Sequence, residues 1–169
     1  MAKLISADLT NNKLCIFEYT TIGGQMLSFK EDAFDAKIAS HTYTDVGKVI
    51  FDNPITKIGE RAFSSCYSLT SVTIPNSVTT IGYWAFCYCS SLTSVTIPDS
   101  VTTIEWEAFR GCSSLTSVTI GDSVTTIGCE AFDNIASGRK IYVPMESVEA
   151  YKSAEGWSEY ASDIVGYNF

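Results

Sequence analysis

The chain has 169 residues, of which 46% are hydrophobic and 18% charged, a composition that fits one folded domain and excludes intrinsic disorder. Its net charge of −8 argues against a nucleic-acid partner, because a phosphate backbone is bound by clustered Lys and Arg. A single histidine, His41, argues against metal and acid–base chemistry that needs paired imidazoles, and no apolar run is long enough for a membrane helix.

The N-terminus gives no sign of a secretory leader, since Met1–Asp8 contains no long apolar stretch. Either the native protein is intracellular, or a leader was removed and a start Met supplied. The sequence leaves both locations open.

Residues 1–45 are predicted to form an N-terminal β cap, because a stack of repeats with a bare end would expose a sheet edge and an apolar cross-section. One strand pair is expected around the glycines that follow Ile22, and a second leads into the repeats. These predicted pairs join Leu14–Tyr19 to Gln25–Phe29 and Ile38–Thr44 to Lys48–Phe51.

The middle of the chain consists of a 23-residue unit that occurs four times, with starts at Phe51, Ile74, Ile97 and Ile120. The units that begin at Ile74 and Ile97 are identical at 17 of 23 positions. A constant unit length means that one module is repeated and that each copy buries the face of its neighbour. The sequence therefore predicts a repeat solenoid.

Within the unit, Val95-Thr96-Ile97 alternates apolar and polar residues and predicts a strand. Gly82–Ser90 is predicted to be a short helical turn, because Ala85, Phe86 and Cys89 would share one face. Positions that stay apolar in every unit define the predicted core, among them Ile58/Ile81/Ile104/Ile127, Ala62/Ala85/Ala108/Ala131 and Phe63/Phe86/Phe109/Phe132.

The unit reads Leu-x-x-Val-x-Ile-Pro-x-Ser-Val-Thr-x-Ile-Gly-x-x-Ala-Phe-x-x-Cys and resembles the BspA-like class of leucine-rich repeats, here over residues 46–144. The resemblance implies a right-handed α/β solenoid, rich in β structure, with a parallel sheet and short helical turns. It also implies a secreted or cell-surface bacterial protein with an adhesive or unknown role. Gly121, Ile135 and Gly138 depart from the pattern and mark the approach to a C-terminal cap.

Residues 145–169 resemble the C-terminal cap of such proteins, and the whole of 1–169 is expected to be one domain. The cap is predicted to be helical and to cover the last repeat. Its apolar side is expected to consist of Val148, Tyr151, Trp157, Tyr160 and Ile164.

No side chains form a convincing catalytic or metal-binding set, so neither a metal nor another cofactor is expected. The cysteines that recur every 23 residues, Cys66, Cys89 and Cys112, are interpreted as buried free thiols rather than a zinc site or disulfides. His41 is interpreted as a loop histidine without a nucleophile. Glu105 and Glu107 point in different directions on a helical turn, unlike the carboxylates of a glycosidase. The protein is predicted not to be an enzyme.

The two most similar units differ mainly within residues 82–88 and their equivalents 105–111. Helical spacing predicts that positions 83, 84, 87 and 88 face solvent, and that Trp106 forms a cation–π pair with the residue four positions later. Large exposed aromatics are unusual unless they bind something. We therefore expect a binding patch of Tyr83, Trp84, Tyr88, Trp106 and Arg110. The alternative is that these rings lie flat and shield the turns.

Two functions remain open at this point. The first is a non-enzymatic binding or adhesion module that recognises a protein or glycan surface. The second is a structural repeat segment of a larger surface protein with no ligand of its own. The outward strand positions carry only short hydroxyls, such as Ser94 and Thr96, and are interpreted as a solvated surface.

Overall fold

A computed structural model describes residues 15–168 of the chain. The strands, in chain order, are β1 (Cys15–Thr21), β2 (Ile38–Tyr43), β3 (Gly47–Phe51), β4 (Lys57–Ile58), β5 (Leu69–Thr73), β6 (Thr80–Ile81), β7 (Ser94–Ile97), β8 (Thr103–Ile104), β9 (Ser117–Ile120), β10 (Thr126–Ile127), β11 (Lys140–Pro144) and β12 (Ile164–Tyr167). The described part also contains a short helix, α1 (Val148–Ser153), and 3-10 turns at Glu31–Ala33, Met145–Ser147 and Ser158–Tyr160. Residues 1–14 of the predicted N-terminal cap lie outside the described residues.

Each repeat unit contributes one strand to each of two sheets. The large sheet has the order β12-β11-β9-β7-β5-β1-β3-β2, and the small sheet has the order β10-β8-β6-β4. Strands of successive units are parallel, and Thr96 pairs with Thr73 on one side and Thr119 on the other. The paired residues are 23 positions apart, which is the length of the unit. Each unit therefore forms one coil that stacks on the previous coil. The predicted repeat solenoid with a parallel sheet is confirmed. The four coils are Phe51–Thr73, Ile74–Thr96, Ile97–Thr119 and Ile120–Tyr142.

A column of stacked aromatic rings runs through the centre of the coils. Four rings, one from each coil, have successive centroids 5.2, 5.1 and 5.4 Å apart, in the order Phe63, Phe86, Phe109 and Phe132. Phe17 of β1 extends the column at one end at 4.7 Å, and Trp157 closes it at the other end at 6.2 Å. All six side chains are buried. Each such burial contributes about 1.5–3 kcal/mol to folding.

Threonine hydroxyls add a second set of contacts between coils. The Oγ1 atoms of Thr79, Thr102 and Thr125 each donate to a backbone carbonyl of the preceding coil, at 3.1, 3.3 and 3.5 Å. In each case the acceptor lies 23 residues earlier in the chain. These bonds satisfy side-chain donors at the coil interface and keep the coils in register.

Strand β1 lies inside the large sheet, antiparallel to β3 on one side and to β5 on the other. The predicted hairpin of β1 with Gln25–Phe29 is wrong, because both edges of β1 are occupied and residues 25–29 form no strand. The hydroxyl of Thr21 accepts from the Gln25 amide and donates to the Gln25 carbonyl, which turns the chain away from β1. The predicted hairpin of β2 with β3 is confirmed, with Tyr43 paired to Gly47.

The C-terminal segment covers the fourth coil and then extends the large sheet. Tyr151 on α1, Trp157 and Tyr160 are buried, as predicted. The Tyr151 hydroxyl donates to the Gly121 carbonyl at 2.8 Å. The predicted helix at Ile164 is wrong, because Ile164 lies on β12, which pairs parallel with β11. Pairing at that edge satisfies backbone groups of β11 that a helix would leave unbonded.

The carboxylate of Asp35 joins the segment before β2 to the first coil. It accepts hydrogen bonds from the amide and hydroxyl of Thr56 and, at 3.4 Å, from the amide of Lys57. Burial alone would raise the pKa of the Asp35 carboxyl, but the hydrogen bonds outweigh it and hold the pKa below its ordinary value. The ionised form is therefore the one that the fold favours.

Asp35→Asn is expected to lower the free energy of unfolding by about 1 kcal/mol at neutral pH, since the site is exposed and the lost bonds involve a charge. Because the folded-state pKa is depressed, this contribution is complete above the unfolded-state pKa and disappears as the pH falls through the folded-state pKa. Urea unfolding of the two proteins across an acid pH series measures it. Asp32→Asn, the same charge change at an exposed neighbour, is the control. A deficit that persists unchanged in acid would contradict the assignment.

Candidate functional site

The most variable part of the coils is a run of tight turns that follows each strand of the small sheet. In the second coil, amides bond alternately within the run and to the next coil. The Cys87 amide donates to the Trp84 carbonyl at 3.1 Å, and the Phe86 amide donates to the Ala108 carbonyl at 2.8 Å. Side chains at equivalent positions of successive coils are therefore held side by side.

Two residues of the run in the second coil, Trp84 and Tyr88, have a left-handed backbone, with φ of 54° and 60°. An α-helix contains no such residues, so side-chain directions deduced from helical spacing fail here. Cys87 was predicted to face solvent and is instead only 2% exposed. The equivalent left-handed positions in the other coils are Arg61, Ser65, Glu107, Gly111, Glu130 and Asn134.

Three of the five predicted binding residues form a surface group of rings, the aromatic cluster: Tyr83, Trp84 and Trp106. The Trp84 centroid lies 6.2 Å from that of Tyr83 and 5.8 Å from that of Trp106. Tyr83 is 44% exposed and Trp106 is 43% exposed, while Trp84 lies between them and is partly buried. The rings support one another at favourable distances, yet a large aromatic area remains in water.

A cation covers the ring of Trp84. The guanidinium carbon of Arg61 lies 4.4 Å from the Trp84 ring centroid, within cation–π range. Its Nη1 also bonds to the Glu60 carboxylate at 2.8 Å. Helical spacing within one turn does not point to Arg61. The available signal was the repeat itself, since Arg61 occupies the position of Trp84 one coil earlier.

The guanidinium of Arg110 lies among carboxylates. Its Nη1 is 2.7 Å from Glu107 and 2.8 Å from Glu130, so the predicted cation–π pair with Trp106 is not formed. Glu107 is only 8% exposed, and a buried carboxylate without a partner would be costly. Arg110 therefore serves this buried charge rather than a ring.

The ring of Tyr88 packs on the third coil rather than on the aromatic cluster. A Cβ added at Gly111 would come within 2.5 Å of that ring, so the glycine leaves room for it. Tyr88 remains 51% exposed. None of the ring contacts in residues 15–168 joins Tyr88 to the aromatic cluster. The structure thus divides the predicted patch into three parts.

Carboxylates border the aromatic cluster. The Oε2 atom of Glu105 accepts from the Tyr83 amide at 3.0 Å, and its Oε1 lies 3.8 Å from Lys57 Nζ. As predicted, Glu105 and Glu107 point to different places. The ion pairs along these turns contain more acidic than basic groups: Glu60, Glu105, Glu107, Glu130 and Asp133 against Lys57, Arg61 and Arg110.

The column of cysteines is buried in the coil interfaces. The thiols of Cys89 and Cys112 donate to the Phe63 and Phe86 carbonyls, both at 3.1 Å, and Cys66 donates to the Ser28 carbonyl at 3.4 Å. Burial raises the pKa of the Cys66 thiol to about 11, which keeps it protonated and unreactive. The three thiols thus pack in the core between coils. Cys129, in contrast, is exposed.

His41 lies on strand β2 and not in a loop. Its Nε2 is 2.6 Å from the Tyr19 hydroxyl, which also accepts from the Leu27 amide. Burial lowers the pKa of His41, which favours the neutral ring in this contact. Within residues 15–168 no three His, Cys, Asp or Glu side chains are grouped to hold a metal ion, and no helix there could cross a membrane.

The comparisons with known proteins agree with the repeat. A family model described as the BspA type leucine rich repeat region matches residues 37–154, in 6 copies. The crystal structure of a leucine-rich repeat protein from Bacteroides ovatus ATCC 8483 is similar, with 31% sequence identity and a TM-score of 0.56. The match covers 69% of this chain and 29% of that chain, so this chain corresponds to less than a third of that protein. No curated protein matches.

Proposed function

Because the chain belongs to the BspA type leucine-rich repeat family, we propose that it is a non-enzymatic binding or adhesion module that recognises a protein or glycan surface with its aromatic cluster. Repeats of this family suggest protein interaction or a structural role rather than catalysis. The fold alone does not select between these roles, whereas the exposed side chains of the site can.

The observation that carries the proposal is the exposure of Tyr83 and Trp106. Both keep more than two fifths of their surface in water, although they lie in the repeating part of the chain. They also occupy the one stretch in which two otherwise near-identical coils differ. An exposed aromatic group on a rigid frame supports recognition, since aromatics dominate the energetics of binding surfaces.

The alternative is that the chain is a structural repeat segment of a larger surface protein. The contacts of Trp84 with Trp106 and Arg61 favour this alternative, because rings that pack on each other also shield the turns. It predicts that removing the exposed rings destabilises the coils and changes no binding. The two functions therefore differ in a measurable quantity.

We also propose a secreted or cell-surface location, supported by the family and by the Bacteroides protein, with the cytoplasm as the alternative. Residues 1–45, 46–144 and 145–169 would then act as N-terminal cap, repeats and C-terminal cap of one domain. The large sheet runs without interruption from β2 to β12, which supports the view that these parts form one domain.

The test is a binding screen of the Tyr83→Ser/Trp106→Ser variant and the unchanged chain against extracellular-matrix proteins and glycans. We expect the variant to lose at least about tenfold in affinity for any ligand found, because two exposed aromatic contacts are removed. Its thermal stability should change little, since both replaced residues are more than two fifths exposed.

The matched control is Tyr67→Ser, which removes a 62% exposed tyrosine outside the aromatic cluster. It should bind like the unchanged chain. Binding that survives in the folded double variant would move the site to the hydroxyl face of the large sheet or to the caps. A large loss of thermal stability without any ligand would favour the structural segment.

A further inference from the structure

The aromatic cluster already binds a cation from its own chain. Arg61 is 56% exposed at its side chain, yet it lies over Trp84 instead of extending into water. A flexible side chain gives up rotamer freedom in such a position, so the ring face and the adjacent Glu60 carboxylate must compensate for it. This contact shows what kind of group the surface attracts.

The neighbouring rings of Tyr83 and Trp106 offer the same kind of aromatic surface without a guanidinium over it. Within residues 15–168, the cation–π pairs are Arg61 with Trp84 and Arg139 with Tyr160. No cation of the described residues lies over Trp106 or Tyr83. Glu105 precedes Trp106 in the chain, and its carboxylate accepts from the Tyr83 amide at 3.0 Å. An aromatic face beside a carboxylate is complementary to a guanidinium or ammonium group.

The net charge of the whole chain also favours a cationic partner. A net charge of −8 attracts a basic partner and repels an acidic one, which speeds the encounter with a cationic segment. A neutral glycan would gain nothing from this field. Charge complementarity thus favours a basic protein segment over a neutral glycan as the occupant.

We propose that the aromatic cluster binds an arginine-rich segment of a partner protein, with a guanidinium on the face of Trp106. This rests on the proposed binding function and names the chemistry of its ligand. Arg61 then acts as an internal competitor that occupies one of the ring faces. Its removal would free the face of Trp84 for the partner.

The first experiment titrates the chain with a short synthetic peptide in which Arg alternates with Gly and Ser. A matched peptide carries citrulline, which has the shape of Arg without its charge. Calorimetry at low and at physiological salt should show binding of the Arg peptide that weakens with salt and little binding of the citrulline peptide. Equal binding of both peptides, or none of the Arg peptide, would overturn the proposal.

Two variants separate ring recognition from general acidity. Trp106→Leu keeps apolar area and loses the ring, whereas Trp106→Tyr keeps a ring. We expect Trp106→Leu to bind the Arg peptide about three- to tenfold more weakly and Trp106→Tyr to stay close to the unchanged chain. Equal affinities of Trp106→Leu and the unchanged chain would mean that net charge alone attracts the peptide, and the proposal would fail.

A third comparison tests the internal competitor. Arg61→Asn suits the left-handed backbone and uncovers Trp84, while Lys152→Ser removes the same charge on α1 without uncovering a ring. Arg61→Asn should tighten binding more than Lys152→Ser does; equal effects would contradict the competition. If the Arg peptide fails but Tyr83→Ser/Trp106→Ser still abolishes binding in the ligand screen, the proposed function stands and only its arginine specificity is lost.

Discussion

Phe86→Ala is expected to lower the free energy of unfolding by about 3–5 kcal/mol, the range for removing a large aromatic side chain from a packed core. Its ring is fully buried between those of Phe63 and Phe109, with centroids 5.2 and 5.1 Å away. The cavity cannot collapse easily, because backbone and threonine hydrogen bonds hold the neighbouring coils at a fixed spacing. Equilibrium unfolding in urea measures the loss.

The same experiment probes how the coils depend on one another. Each coil contacts only its neighbours, so a defect in the second coil weakens the connection between the two ends of the stack. We expect the unfolding curve of Phe86→Ala to broaden or to divide into two transitions. Phe86→Leu should lose about 1 kcal/mol, and the exposed Tyr67→Ala less than about 0.5 kcal/mol. A loss below about 1 kcal/mol in Phe86→Ala would contradict the packed column.

The second large effect is expected at the pairing of β1 with β3. A Cβ added at Gly47 would lie 2.1 Å from Cζ of Tyr19 and 2.4 Å from both of its Cε atoms. The Tyr19 ring is 1% exposed and is fixed by its bonds to His41 and to the Leu27 amide. Because the ring is buried and held by these bonds, Gly47→Ala should cost about 3 kcal/mol, the upper part of the range for overpacking. Thermal unfolding followed by near-ultraviolet circular dichroism measures it.

Gly138→Ala is the control for this substitution. Gly138 has a φ of 72° but nothing within 4 Å of an added Cβ, so that variant reports backbone strain alone, about 1–2 kcal/mol. Introducing Gly47→Ala into a Tyr19→Ala background should cost little, since the clashing ring is gone. If Gly47→Ala costs the same with and without the Tyr19 ring, the close contact is not the cause.

The coils were predictable from the sequence because the same apolar pattern recurs in every unit. The phenylalanine and isoleucine columns appear in every unit, so each position is effectively observed four times. The ends occur once each and follow no such pattern. Gln25–Phe29 is strand-like in sequence, but β1 has no free edge for it. Ile164 fits an apolar helix face, but the open edge of β11 takes it as a strand.

The site was predictable only in part, for a different physical reason. The exposure of Tyr83 and Trp106 follows from the variation between similar coils. The contact of Arg61 with Trp84 joins different coils, and spacing within one turn does not reveal it. The predicted exposure of Cys87 and the predicted pair of Trp106 with Arg110 were both wrong. Both assumed a helical turn, whereas Trp84 and Tyr88 have a left-handed backbone.

The near-identity of the second and third coils has a consequence for how this chain can change in length. Their interface joins like to like: Thr80 with Thr103, Ile81 with Ile104, and Phe86 with Phe109. A duplicated copy of either coil would meet the same partners on both sides, and a deletion would leave matching surfaces to rejoin. Gain or loss of a whole coil therefore leaves matched interfaces, although deletion of either coil removes part of the aromatic cluster. Evolution can adjust the reach of such a protein in fixed steps without redesigning its core.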